Sequence, residues 1–329
     1  MSFVFPPAIL PWLVPLCAFF VCWLVLTTLM KRALRLPMDH PNERSLHVTP
    51  TPRVGGIGVM TGTLIAVLLI SPSALWSFML GALALAIISL LDDYKNLPVS
   101  LRLLAHVAVA LGCLLMLPEM RGASLILATL ALVWMTNLYN FMDGADGLAG
   151  GMTVIGFGAL AAAAGWAGAP ELAMFCAAIA AAGLAFLRVN FPPATLFMGD
   201  AGSIPLGFLA AALAVYGVVQ HHWPVLFPVM VFSPFIFDAS VTLIKRGMRG
   251  EKIWRAHREH YYQRLVRLGW SHRKLALVAY ALMLACALAG LGLIRMPAYA
   301  PLITLLWLAG FLLIFITLDW RWARLKHDI

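Results

Sequence analysis

The chain has 329 residues, 62% of them hydrophobic and only 11% charged, with a formal net charge of +9. Soluble domains carry about 25% charged residues, so this composition excludes an ordinary soluble fold and points to a polytopic membrane protein. The basic excess then reads as the positive-inside rule, and no nucleic-acid partner is expected.

The first apolar run, 8–30, has no basic residue before it and is followed by Lys31 and Arg32. That order is the reverse of a cleaved signal peptide and predicts a transmembrane helix with its N-terminus outside. Further runs at 54–71, 73–91, 101–118, 123–139, 148–166, 171–187, 203–219, 224–244, 274–294 and 299–318 bring the expectation to 11 spans. The predicted fold is an all-α, polytopic transmembrane helix bundle, one domain over 1–329, with a periplasmic N-terminus and a cytoplasmic C-terminus. All of the 23 Lys and Arg residues except Arg121 and Arg295 fall at 31–53, 92–102, 188–202, 245–274 and 319–329, which makes that face cytoplasmic. The short connection 140–147 lies on the same side. Of the 14 acidic residues, only Glu119 and Glu171 lie away from this face. Carboxylates contribute little to insertion, so their crowding predicts a shared cytoplasmic site built by 31–53, 92–102, 140–147, 188–202 and 245–274. The cysteines (Cys17, Cys22, Cys113, Cys176 and Cys286) all sit in apolar runs and read as small core or lipid-facing residues.

The polar motifs follow in chain order. The Pro/Gly-rich stretch DHPNERSLHVTPTPRVGG (39–56) carries His47 and Arg53. In LLDDYKN (90–96), Asp92 and Asp93 end a helix, where the dipole disfavours carboxylates; Lys95 or a divalent cation is the expected compensation. In NLYNFMDGADGLAGG (137–151), Asn137, Asn140 and Asp143 share a helical face, and the glycines allow a tight turn against a ligand. In NFPPATLFMGDAGSIPLG (190–207), two prolines stop a helix and Asp200 opens the next. A carboxylate there suits magnesium, which binds through one or two carboxylates plus substrate phosphates; a plain N-cap by Asp200 or Ser203 is the simpler role. Asp238 lies in an apolar run, either pairing with a basic residue near the site or stapling helices. IWRAHREHYYQRLVRLGW (253–270) places Trp254, His257, Tyr261, Leu265 and Leu268 on one helical stripe, with His260, Arg255, Arg258 and Arg264 beside it; the expectation is an interfacial amphipathic helix whose stripe lies on the bilayer while its His/Arg side faces phosphate.

The ordered set PNERSLH…PTPRVGG, LDDYK, NLYNFMDGADGLAGG, NFPPATLFMGDAGS and HREHYYQ resembles the polyprenyl-phosphate N-acetylhexosamine-1-phosphate transferases, glycosyltransferase family 4. Relatives in that family include the phospho-N-acetylmuramoyl-pentapeptide transferases. The resemblance covers residues 39 to about 263. It implies transfer of a sugar-1-phosphate from a UDP-N-acetylhexosamine to undecaprenyl phosphate, release of UMP, and magnesium (or manganese) as cofactor, at the bacterial inner membrane. A homodimer is compatible with it.

By motif position, Asp200 is implied as the metal ligand. Asp92 and Asp93 activate the lipid phosphate or help hold the metal, and both a general base and a covalent nucleophile fit. Asn140, Asp143 and Asn190 support metal and phosphates. Asp146 and Phe197 meet the uridine base, and His257, Arg258 and His260 the pyrophosphate or sugar. Asn137, His47, Arg53 and Lys95 complete the expected substrate-binding set. The segment PTPRVGG and the sparse histidines of HREHYYQ favour the branch that starts O-antigen or related surface glycans over the peptidoglycan branch. The sugar stays open between N-acetylglucosamine and a 6-deoxy amino sugar such as N-acetylfucosamine or N-acetylquinovosamine. A transporter is the rival class, but the charges cluster at one interface and no internal repeat is visible.

Overall fold

The computed structural model describes residues 8–31, 37–39, 46, 50–70, 75–253, 255 and 257–327. The order is α1 (Leu10–Met30), β1 (Met38–Asp39), β2 (Thr51–Pro52), α2 (Gly55–Val67), α3 (Leu75–Lys95), α4 (Val99–Leu115), α5 (Gly122–Phe141), α6 (Leu148–Trp166), α7 (Pro170–Asn190), α8 (Asp200–Val219), α9 (Leu226–Met248), α10 (Tyr261–Arg267), α11 (His272–Arg295) and α12 (Ala300–His327). Each predicted apolar run carries one of these helices. Among the described residues nine are long and apolar enough to cross a bilayer, while α2 and α4 are shorter. With 13 residues, α2 spans only about 20 Å. The protein is an all-α polytopic membrane bundle. Among the described residues one small sheet forms, the antiparallel pair β1–β2, with Met38 opposite Pro52 and Asp39 opposite Thr51.

Lipid supplies no hydrophobic force between helices, so close packing must hold them. Small residues do this here. α6 (LAGGMTVIGFGALAAAAGW) lies along α7, whose Gly183 backs onto Thr153. Gly58 and Gly62 of α2 admit Leu26 and Cys22 of α1. At the crossing of α2 and α8, a methyl group on Gly56 would run into the backbone of Gly202. The most enclosed span is α8, 78% buried, packed on α3, α5 and α2 over Phe208, Tyr139 and Phe78. The last span, α12, is its opposite at 6% buried. The loop-rich end of the bundle, where α8 begins and α3, α5, α7 and α9 end, gathers the polar motifs.

Candidate active site

The N-terminus of α8 is the first fixed point. Gly199 precedes it at φ 74°, and a Cβ there would strike the Arg53 carbonyl, so glycine is required. Asp200 is the first helical residue, where the dipole favours a carboxylate. It is no N-cap: Gly199 holds that position, with no side-chain cap bond. Asn140, from the end of α5, donates through Nδ2 to Asp200 Oδ1 at 3.0 Å and to Ser203 Oγ at 2.9 Å. The amide thus aims the carboxylate. The α2 end locks on as well, Gly55 and Gly56 donating their amides to the carbonyls of Phe197 and Met198 at 2.9 and 2.8 Å.

The turn 142–147 is held from four sides. Asn190 is buried and accepts from Gly147 N at 2.9 Å while its Nδ2 donates to Leu196 O at 2.9 Å. Both amide atoms are therefore spent on backbone. Tyr280 donates to Gly147 O at 2.8 Å, and Tyr262 to Phe141 O at 3.0 Å. Asp146 Oδ2 accepts from Ala194 N at 3.1 Å, and Oδ1 lies 3.2 Å from His272 Nδ1. Asp143 sits in this turn. Burial, then the carboxylates of Asp200 and Asp39, push its carboxyl well above the usual carboxylate range.

The paired aspartates do not meet Lys95, which is exposed. Asp92 accepts from Leu97 N at 2.7 Å and from Arg102 Nη1 at 2.8 Å. Asp93 pairs with Arg53 Nη2 at 3.0 Å. Neither aspartate lines the cavity described below; each grips an arginine that does. The compensation expected from Lys95 thus comes from Arg102 and Arg53.

The late loop also departs from expectation. The stripe predicted over 253–270 is a helix only at Tyr261–Arg267; Trp254 lies outside the described residues. The reason is Asp238. Its oxygens accept from the backbone amides of Tyr261 and Tyr262 at 2.8 and 2.9 Å, fixing the N-terminus of α10 inside the protein. Tyr261, Tyr262, Gln263 and Arg264 are buried, so α10 is no amphipathic helix lying on lipid. His260, also buried, stacks between Phe141 and Tyr262 with centroids 6.1 and 5.9 Å away. The His257 ring stands 4.7 Å from it. Burial, then His260 and Arg246, pull the His257 imidazole down to about 4.

These segments enclose one cavity of about 660 Å³, within the usual range for a ligand pocket. Of the predicted site residues, Arg53, Asn137, Asn140, Asp143, Asp146, Asn190, Phe197, Asp200, His257 and His260 line it. Arg258 does not; it is exposed, and Arg255 lines the wall in its place. His47 lies outside the described residues. Arg102, His106, Asp39, Tyr262 and His272 line the cavity without having been predicted. Arg102 and His106 had a signal, a basic pair four apart on one face of an apolar helix. Arg53 Nε and Arg102 Nε are buried without hydrogen-bond partners, a state that suits an anionic ligand.

Among the described residues no three His, Cys, Asp or Glu side chains converge on one point. Magnesium needs no such cage, since it keeps waters and takes phosphate oxygens. The carboxylates of Asp200 and Asp39 disfavour charge on Asp143, a condition that a cation relieves. The residues fit the ion.

A family model described as glycosyl transferase family 4 matches residues 75–218. The chain is 29% identical over 278 residues to a protein named probable undecaprenyl-phosphate N-acetylglucosaminyl 1-phosphate transferase from Bacillus subtilis, covering 78% of each. It is 31% identical over 290 residues to the decaprenyl-phosphate N-acetylglucosaminephosphotransferase of Mycobacterium tuberculosis, over 73% of this chain and 72% of that one. A phospho-N-acetylmuramoyl-pentapeptide-transferase of Geobacillus thermodenitrificans is 36% identical over 169 residues, 50% of each chain. A membrane bundle, an anion-ready cavity and relatives matched over most of its length agree: the chain belongs to the polyprenyl-phosphate N-acetylhexosamine-1-phosphate transferases of glycosyl transferase family 4.

Proposed function

We propose that the protein transfers an N-acetylhexosamine-1-phosphate from a UDP-sugar to undecaprenyl phosphate, releases UMP, and so starts a lipid-linked surface glycan of the O-antigen type at the cytoplasmic face of a bacterial inner membrane. The observation that carries this reading is the joining of Arg53, Arg102, Asp143, Asp200 and His257, from separate stretches of chain, around one cavity. An oxygen of the acceptor phosphate forms a bond to the β-phosphorus of the donor. The bond from that phosphorus to the bridging oxygen breaks, and its electron pair leaves on UMP. Both reactants are anions, so the protein's work is alignment and charge neutralisation.

Arg53 and Arg102, held by Asp93 and Asp92, receive the acceptor phosphate on their spare guanidinium donors. Asp200, aimed by Asn140, and Asp143 would hold magnesium, which when bound would neutralise the pyrophosphate. Arg255 and His257 face the donor phosphates. Phe197 offers its ring to the uracil. Asn190 and Asp146 keep the turns 142–147 and 191–199 in register. The names of the relatives support the hexosamine and the polyprenyl phosphate.

The test is UMP release by purified protein with undecaprenyl phosphate, with and without magnesium. The donors are UDP-N-acetylglucosamine, the two 6-deoxy amino sugars and the UDP-muramoyl-pentapeptide. Magnesium-dependent UMP from one hexosamine donor is expected. UMP from the pentapeptide donor alone would move the protein to the peptidoglycan branch. No UMP from any donor, with folded protein, would contradict the reading.

A further inference from the structure

The last span, α12, contributes none of its described residues to the cavity and is 6% buried. Its cytoplasmic-loop end nevertheless meets α10, which carries cavity residues Tyr262 and Gln263 and follows directly on His260. Three residues of α12, one turn or so apart, make the seat: Phe315, Asp319 and Trp322. The Phe315 ring lies 4.6 Å from that of Tyr261. Arg267 and Arg264 stack over Trp322 at 4.7 and 5.7 Å. Asp319 is the centre. Its carboxylate pairs with Lys245 of α9, accepts from the Tyr261 hydroxyl at 3.1 and 3.2 Å, and accepts from Arg264 Nη1 at 3.0 Å. Lys245 also donates to Tyr261 Oη at 2.7 Å.

One carboxylate therefore serves two cations and a buried tyrosine. Without it, Lys245 loses its carboxylate, and the buried Arg264 keeps only Glu259, whose carboxylate is 4.0 Å away and whose carbonyl accepts from Nε at 2.7 Å. Removing one partner of a partly buried ion pair leaves the other charge uncompensated and is destabilising, and here that loss falls on the helix that carries Tyr261 and Arg264. Asp238 holds the same helix from the other side through its backbone. The helix is thus clamped between two carboxylates, one inside the bundle and one on its rim.

We propose that Asp319 is a positioning residue for the transfer reaction: through Tyr261 and Arg264 it sets α10, and with it the His257–His260 wall of the cavity. The inference rests on the transferase reading for its effect on turnover, but not for its effect on the loop. Two measurements therefore separate them, both on the full chain. The first is hydrogen exchange across 251–267 in wild type, Asp319→Asn and Asp319→Glu. The second is steady-state UMP release by the same three proteins.

Asp319→Asn is expected to raise exchange over 257–264 at least tenfold. It should lower kcat about tenfold with the donor KM changed less than twofold, and leave the thermal midpoint of the bundle within a few degrees. Asp319→Glu, which keeps the charge, should restore much of both. A loop that exchanges as in wild type in Asp319→Asn overturns the proposal. So does loosened exchange with unchanged kcat in an active enzyme. Loosened exchange in a protein whose wild type releases no UMP leaves the seat standing and removes the transferase reading instead.

Discussion

Asp200 and Asn140 stand 60 positions apart in sequence and 3.0 Å apart in the fold. A carboxylate at a helix N-terminus, aimed by an amide and set beside Asp143, is the proposed cation ligand, and Gly199 holds the cap position instead. Asp200→Ala should therefore lower turnover at least about 100-fold, since metal charge stabilisation is worth several kcal/mol. The protein should still elute as a monodisperse, folded bundle. Near-normal turnover in a magnesium titration of that variant would remove Asp200 from the metal. His257 makes a second prediction. Its imidazole is held near 4 in the fold, below its ordinary 6.5. The unfolded chain thus binds the proton first, so the contribution to stability is complete above about pH 6.5 and is lost as pH falls toward 4. Thermal midpoints between pH 7.5 and 4.5 should fall more steeply for wild type than for His257→Gln; parallel curves would contradict this. The carboxylates and histidines were legible in the sequence because polar groups in a greasy chain need a reason. The grip of Asp92 on Arg102, and the exchange of Arg258 for Arg255, were not. Each depends on where a side chain points, which spacing does not encode.

The elements were legible to different degrees. Long apolar runs announce spans through length alone, and every predicted run became a helix. The short pieces gave no such signal. β1 and β2 have two residues each, too few for any period to show. α10 was absorbed into a longer predicted stripe, because the heptapeptide is helical only where Asp238 receives its first amides. The crossing of α2 and α8 offers a prediction at this scale. Gly56 and Gly202 bring the two backbones together, and α2 aligns Arg53 toward the cavity. Gly202→Val should force the helices apart, an overpacking penalty of about 1–3 kcal/mol or more. The expected outcome is loss of monodisperse protein; a Gly202→Val variant with wild-type yield and midpoint would show that the crossing tolerates bulk.

For the whole molecule, charge decides orientation. Arg121 and Arg295 alone sit away from the basic face; the proposed opening of the cavity toward the cytoplasm rests on that asymmetry and the insertion rule. Cysteines placed at 121 and at 258 in turn, in a background lacking native thiols, should label with an impermeant reagent from opposite sides: 121 in intact cells, 258 only in inverted vesicles. The reverse pattern would turn the site outward, where no nucleotide sugar is supplied. The cavity itself could not be seen in the sequence, since it is a property of helix ends and loops from distant stretches meeting.

The central claim is that a sugar moves together with its phosphate. The most direct measurement uses UDP-N-acetylhexosamine labelled with ³²P at the β-phosphate, incubated with the protein, undecaprenyl phosphate and magnesium, then partitioned between solvent and water. Label in the lipid fraction, equal in amount to the unlabelled UMP released, is the result predicted here. Label that remains in water as UDP while sugar enters the lipid would mean that the sugar moves without its phosphate, and would contradict the account.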